Sequence, residues 1–134
     1  MVKRIILLIW IVLAIFPIAA LDRLYPGSLV RFNTFFRSNA THVVMHAVLF
    51  AGLVIILLAA FNMRPGRQAI TVSFLAILIV AVLQEWLQAL SQGFFPLFGA
   101  LYDLGVDFLG GVVGYGFYVI LTFNNGSEMN DIKR

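Results

Sequence analysis

The sequence predicts an all-α integral membrane protein with four transmembrane helices, and the composition, the apolar segments and the basic residues each support this class. Of the 134 residues, 62% are hydrophobic and 11% are charged, and the mean hydropathy is +1.00. A water-soluble domain usually carries about 25% charged residues. Too few polar side chains remain to cover a water-facing surface, so lipid must surround much of the chain. The length fits a single membrane domain over residues 1–134.

Four apolar segments are each long enough to form a helix that crosses a hydrocarbon core of about 30 Å, which takes roughly 20 residues. They cover residues 5–21, 42–63, 69–90 and 103–123. Residues 22–41 intersperse aromatic and aliphatic side chains with arginines, which is typical of an amphipathic helix lying in the membrane interface. Residues 124–134 are mainly polar and predict a short cytoplasmic tail.

The basic residues predict the orientation, because Lys and Arg are enriched on the cytoplasmic side of membrane proteins. With the N-terminus in the cytoplasm, the inner side carries Lys3, Arg4, Arg64, Arg67, Lys133 and Arg134. The outer side then carries only Arg23, Arg31 and Arg37. This distribution favours both termini in the cytoplasm.

Three ionisable residues within the predicted spans share one depth, and ionisable groups in a membrane are costly and are functional candidates by default. At about 1.5 Å per residue, His46, Glu85 and Asp107 all lie about 24–26 Å above the cytoplasmic boundary. Each has a polar companion one helical turn nearer the outer face, and these companions are His42, Gln88 and Asp103. The shared depth predicts one polar cluster just beneath the outer surface.

Several interpretations of this cluster stay open. It is either a structural His–carboxylate lock between helices or a working site, with Glu85 or Asp107 as a base, His46 as its partner and Gln88 as an orienting group. Because no nucleophile accompanies the base, the sequence does not decide whether the protein is an enzyme. A third interpretation is a metal site of His42, His46 and Glu85, since two histidines four residues apart on a helix suit Zn²⁺ or Fe²⁺. The HExxH pattern is absent, and we expect no cofactor.

The glycine spacing, the absence of cysteine and the net charge give three further expectations about packing, disulfides and partners. Gly110-x-x-x-Gly114 predicts close approach of a neighbouring helix of the same chain. The absence of cysteine excludes disulfides and thiolate chemistry. The net charge of +3 is scattered and forms no basic stripe, so nucleic acid is not an expected partner.

Three short motifs resemble those of the VanZ-like family of small bacterial membrane proteins, over residues 42–118. The family's D-x-x-x-H-x-x-x-Y is similar to residues 42–50, where His42 replaces the Asp and Phe50 replaces the Tyr. Its E-x-x-Q is matched in full at residues 85–88. Its D-x-x-x-N-x-x-G is similar to residues 107–114, with Gly111 in place of Asn. An arginine that often precedes the last motif is missing, because residues 91–102 contain no basic residue.

The resemblance implies a multi-pass protein of the bacterial cytoplasmic (plasma) membrane. The family is named for an accessory protein of glycopeptide-antibiotic resistance and has no established general activity, so the resemblance supports the site residues more than any reaction. With the polar cluster, it leads to the expectation that the protein binds or modifies an envelope lipid or its headgroup. The alternative expectation is a small accessory subunit of a larger membrane complex, with other membrane subunits as partners.

Overall fold

The computed structural model describes residues 1–16, 25, 27, 30 and 39–131, with only the backbone at 92 and 125–131. Over this part of the chain it contains four helices: α1 (Val2–Ile15), α2 (Asn39–Ala60), α3 (Arg67–Gln92) and α4 (Leu97–Asp131). Three of them, α2, α3 and α4, contain stretches long and apolar enough to cross a membrane. The described chain is therefore helical, as predicted, and has the character of a multi-pass membrane protein.

The structure describes only part of the predicted first span and of the predicted interfacial helix. Helix α1 covers 14 residues, fewer than the roughly 20 needed for a span, and the remainder of the predicted first span beyond residue 16 lies outside the described residues. The predicted interfacial helix over 22–41 also lies outside them, except for residues 25, 27, 30 and 39–41. Of these, 39–41 form the first described residues of α2 and belong to a spanning helix.

The helix ends differ from the predicted span ends because apolar runs mark the part of a helix in lipid, whereas turn residues mark where the helix stops. Helix α2 ends at Ala60 rather than 63, just before Asn62, whose φ of 49° is left-handed. Helix α4 begins six residues before the predicted 103, directly after Pro96, a residue suited to a helix start. It continues to Asp131, so the predicted tail is helical over residues 124–131.

The contacts between helices define their directions. The Lys3 ammonium donates to Asn62 Oδ1 at 3.4 Å, and Trp10 Nε1 donates to the Leu49 carbonyl at 2.8 Å, so α1 runs antiparallel to α2. Helix α3 follows α2 after a short turn and runs back beside it. Helix α4 then runs parallel to α2, because successive turns of the two helices meet in the same order from residues 42 and 103 onwards.

Two glycines allow α2 and α4 to approach at backbone distance. A Cβ atom added to Gly110 would lie 2.7 Å from the Ala47 Cα, and one added to Gly114 would lie 2.7 Å from the Ala51 Cα. The small-x-x-x-small pattern is thus present on both helices, as in closely packed transmembrane pairs. By contrast, a Cβ added to Gly116, on the same helix, meets nothing within 4 Å.

Two tyrosines attach the other half of α4 to the α2–α3 turn. The Tyr118 hydroxyl donates to the Met63 carbonyl at 2.6 Å, and the Gly66 backbone N–H donates to the Tyr115 hydroxyl at 3.0 Å. These bonds satisfy backbone groups in the turn that have no helical partner. They attach the middle of α4 to the α2–α3 turn, while the glycines pack the preceding turns of α4 against α2.

The bundle is polarised along its length, and its sides are apolar. Exposed Lys3, Arg4, Arg64 and Arg67 lie at the end that carries the α2–α3 turn. The ionisable residues of the spans lie toward the opposite end. The lateral surface carries many exposed aliphatic and aromatic side chains, among them Val48, Phe74, Ile79, Trp86, Leu109 and Val112. Such a surface suits contact with lipid rather than water.

Candidate functional site

The parallel arrangement of α2 and α4 pairs two histidines with two aspartates. His42 and His46 lie one turn apart on α2, and Asp103 and Asp107 lie one turn apart on α4. His42 Nε2 is 2.9 Å from Asp103 Oδ1, and His46 Nδ1 is 2.8 Å from Asp107 Oδ1. Because residues four apart share a helix face, both pairs form on the same side of the contact. We call these four residues the His–Asp ladder.

The two pairs of the ladder differ in their access to solvent. The side chains of His46 and Asp107 are 3% and 2% exposed, whereas those of His42 and Asp103 are 41% and 12% exposed. A buried ionisable group must be hydrogen-bonded or paired, and the inner pair meets this requirement between its own members. The outer pair remains accessible from the end of the bundle.

The two histidine rings lie against each other, with centroids 4.5 Å apart and planes inclined by 46°. One ligand atom from each of His42, His46 and Asp103 can be chosen so that all three lie within 4.8 Å of one another. The sequence predicted Glu85 as the carboxylate of a possible metal group. Over the described residues, the potential metal group instead contains Asp103, because α4 rather than α3 lies directly against the two histidines.

Glu85 lies on α3 beside the ladder and is buried. Over the described residues, it shows no hydrogen bond to His46, Asp103 or Asp107. Gln88, one turn further along α3, is half-buried, and its carbonyl accepts a hydrogen bond from Ser91 Oγ at 2.7 Å. The structure therefore joins the histidines to the α4 carboxylates and leaves Glu85 with a different immediate environment.

Glu85 borders an apolar cavity between α3, α4 and the turn that joins them. The cavity has a volume of about 350 Å³. Its other lining residues are all apolar: Ala81, Val82, Trp86, Phe95, Leu97, Ala100, Leu101 and Leu104. Gly93 ends α3 in a left-handed conformation (φ 78°), and the short turn to Leu97 closes one side of this space. We call it the α3–α4 cavity.

Sequence reasoning missed the cavity and one polar residue. Gln84, next to Glu85, has a buried Oε1 atom without a hydrogen-bond partner among the described residues. An uncharged polar residue inside an apolar span was the signal that could have identified it. The cavity had no such signal, because it depends on the distance between two helices rather than on any residue pattern.

Comparisons with protein-family models, curated proteins and solved structures find no match for this chain. The resemblance to the VanZ-like family therefore stays a prediction that rests on the three motifs. Of the residues in those motifs, His46 and Asp107 are hydrogen-bonded in the structure. Gly111, at the position of the family's Asn, lies against Ile77 and Val54.

Proposed function

We propose that this protein is a VanZ-like, lipid-binding protein of the bacterial plasma membrane, which holds an acyl chain in the α3–α4 cavity and an ammonium headgroup at Glu85. The observation that carries the proposal is the cavity itself, apolar throughout except for one buried carboxylate. Ligand pockets typically have volumes of about 300–1,000 Å³ and combine an apolar lining with few polar groups. The α3–α4 cavity, at about 350 Å³, has both properties.

The charge around the cavity supports a cationic headgroup. Glu85, Asp103 and Asp107 contribute −3 when ionised, and His42 and His46 contribute between 0 and +2. The sum lies between −3 and −1, so the site is acidic for either state of the histidines. Opposite charges attract strongly where water is scarce. A primary ammonium also donates up to three hydrogen bonds, which a carboxylate accepts.

The orientation of the bundle supports a ligand in the outer leaflet. The exposed basic residues near the α2–α3 turn favour that end as the cytoplasmic one. The ladder and the α3–α4 cavity then lie near the outer surface. Exposed Phe94 and Phe95 in the turn beside the cavity suit the interface, where aromatic side chains are enriched.

Single-cysteine labelling tests this orientation, since the chain has no native cysteine. In intact cells, Phe94→Cys should react with a membrane-impermeant maleimide, and Arg64→Cys should react only after the membrane is opened. Both residues are exposed in the structure. Labelling of Arg64→Cys alone in intact cells would place the ladder on the cytoplasmic side and contradict the orientation.

Fluorescence quenching tests the lipid proposal. The chain has two tryptophans, and Trp86 lines the cavity, so the tryptophan fluorescence of a Trp10→Phe protein comes from this residue alone. In phosphatidylcholine vesicles we compare small, equal fractions of acyl-brominated lipids with ethanolamine, choline or glycerol headgroups. The ethanolamine lipid should quench Trp86 most, because its ammonium reaches Glu85.

The matched variants in that background are Glu85→Gln and Glu128→Gln. Each removes one carboxylate, but residue 128 lies about 32 Å along α4 from Asp107, at about 1.5 Å per residue. Selective quenching should disappear in Glu85→Gln and persist in Glu128→Gln. Equal quenching by all three headgroups in the protein that retains Glu85 contradicts the proposal.

A further inference from the structure

Three of the four residues of the His–Asp ladder form a set of donors typical of metal sites. His42 and His46 supply two imidazoles from successive turns of α2, and Asp103 supplies a carboxylate from α4. Two histidines and one carboxylate are a common set of protein ligands for Zn²⁺, leaving a fourth position for water or another ligand. The three potential ligand atoms lie within 4.8 Å of one another.

The inner pair supplies the support that a metal-binding histidine needs. An ionised carboxylate can only accept hydrogen bonds. With Asp107 ionised, the His46 Nδ1–H therefore donates to Asp107 Oδ1, and the two atoms are 2.8 Å apart. When the imidazole is neutral, as metal binding requires, the Nε2 atom of His46 is then unprotonated and has a lone pair for a metal ion. Histidine ligands usually donate their other ring N–H to a carboxylate in this way.

The distances require only a modest adjustment. Ligand atoms around a tetrahedral Zn²⁺ lie about 3.3 Å apart, since Zn–N and Zn–O bonds are about 2.0–2.2 Å long. His42 Nε2 and Asp103 Oδ1 are already 2.9 Å apart. A ring nitrogen of His46 lies within 4.8 Å of a ligand atom on each of the other two residues. His42 is 41% exposed, so its ring has room to turn and an ion has a path to the site.

Charge also favours a divalent cation here. The ladder and Glu85 sum to −3 when both histidines are neutral, as metal binding requires. A Zn²⁺ ion reduces this to −1. An ion pair with one solvent-exposed member contributes little to the stability of a protein. A structural role thus accounts for the inner pair better than for the outer one.

We propose that His42, His46 and Asp103 bind a divalent transition-metal ion, with Zn²⁺ as the best match, and that Asp107 orients His46 for this role. This site goes beyond the proposed lipid binding and does not depend on it, because none of the three ligands lines the α3–α4 cavity.

Titration of the purified full-length chain in detergent, after chelator treatment, tests the proposal. Calorimetry should show saturable uptake of one Zn²⁺ per chain. Co²⁺ should give visible d–d absorption bands, which added Zn²⁺ abolishes. His42→Ala should weaken Zn²⁺ binding at least tenfold, and Asp107→Asn should weaken it about 10- to 100-fold, as for other residues that support a metal ligand.

Glu128→Gln serves as the charge-matched control and should bind Zn²⁺ like the parent protein. If Asp107→Asn does not fold, His42→Ala decides, because its side chain is substantially exposed and its loss spares the core. Absence of saturable uptake, or unchanged affinity in His42→Ala, overturns the proposal. Glu85→Gln distinguishes the two sites, since it should lose lipid selectivity while retaining saturable Zn²⁺ binding.

Discussion

Replacing Asp107 by alanine should lower the free energy of unfolding by about 3–5 kcal/mol, because it leaves His46 buried without its partner. The two side chains are 2% and 3% exposed and 2.8 Å apart. Unfolding in mixed micelles with increasing SDS, followed by far-UV circular dichroism, measures this loss. The outer pair provides a matched comparison, since Asp103→Ala removes the same group one turn away.

We expect Asp103→Ala to cost about 0–1 kcal/mol, because its partner His42 is substantially exposed and can bind water instead. Glu85→Gln should also have a small effect on stability, since the structure shows no hydrogen bond between Glu85 and the ladder. Equal losses in Asp103→Ala and Asp107→Ala would contradict the division into a structural inner pair and an accessible outer pair.

This comparison also bears on the two interpretations drawn from the sequence, a lock or a working site. If only Asp107→Ala lowers the free energy of unfolding, His46 and Asp107 form the structural lock. Residues held for function are often not optimised for stability. If variants of His42, Asp103 and Glu85 keep their stability but lose ligand binding, those three residues form the working site.

Replacing Gly110 by leucine should separate α2 from α4 and have the largest effect of any glycine substitution considered. Even a single added carbon would lie 2.7 Å from the Ala47 Cα, and backbone cannot move aside as a flexible side chain can. Overpacking typically costs about 1–3 kcal/mol and more at rigid sites. The same unfolding assay measures the loss, and Zn²⁺ uptake should fall with it as Asp103 moves away from the histidines.

Gly116→Leu is the matched control, because it lies on the same helix and a Cβ there meets nothing within 4 Å. It should be neutral or slightly stabilising, since leucine has a higher helix propensity than glycine by several tenths of a kcal/mol. A Gly110→Leu protein as stable as Gly116→Leu would show that α2 and α4 do not pack at backbone distance.

Much of the helical architecture could be predicted from sequence because lipid imposes long apolar runs, and the runs that became α2, α3 and α4 are unambiguous. The helix ends could not, since Asn62 and Pro96 determine them through backbone conformation. The two histidines and two aspartates of the ladder could be predicted as neighbours from their depth and four-residue spacing. Their pairing could not, because His46 can reach either Glu85 or Asp107 until the lateral order of α2, α3 and α4 is known.

The contacts between α2 and α4 repeat every four residues, so they do not by themselves fix how the two helices are aligned along their length. A slip of α4 by one helical turn, about 5.4 Å, would bring His46 opposite Asp103 and still keep one His–Asp pair. It would likewise keep one glycine opposite an alanine. The His–Asp pairs and the Gly–Ala contacts are therefore compatible with either alignment of the two helices.

The hydrogen bonds of Tyr115 and Tyr118 do not repeat every four residues. Their hydroxyl groups bond to one backbone group each in the α2–α3 turn, the Gly66 N–H and the Met63 carbonyl. A slip would break both bonds. The two phenol groups thus select which histidine meets which aspartate, about two to four turns away along α4.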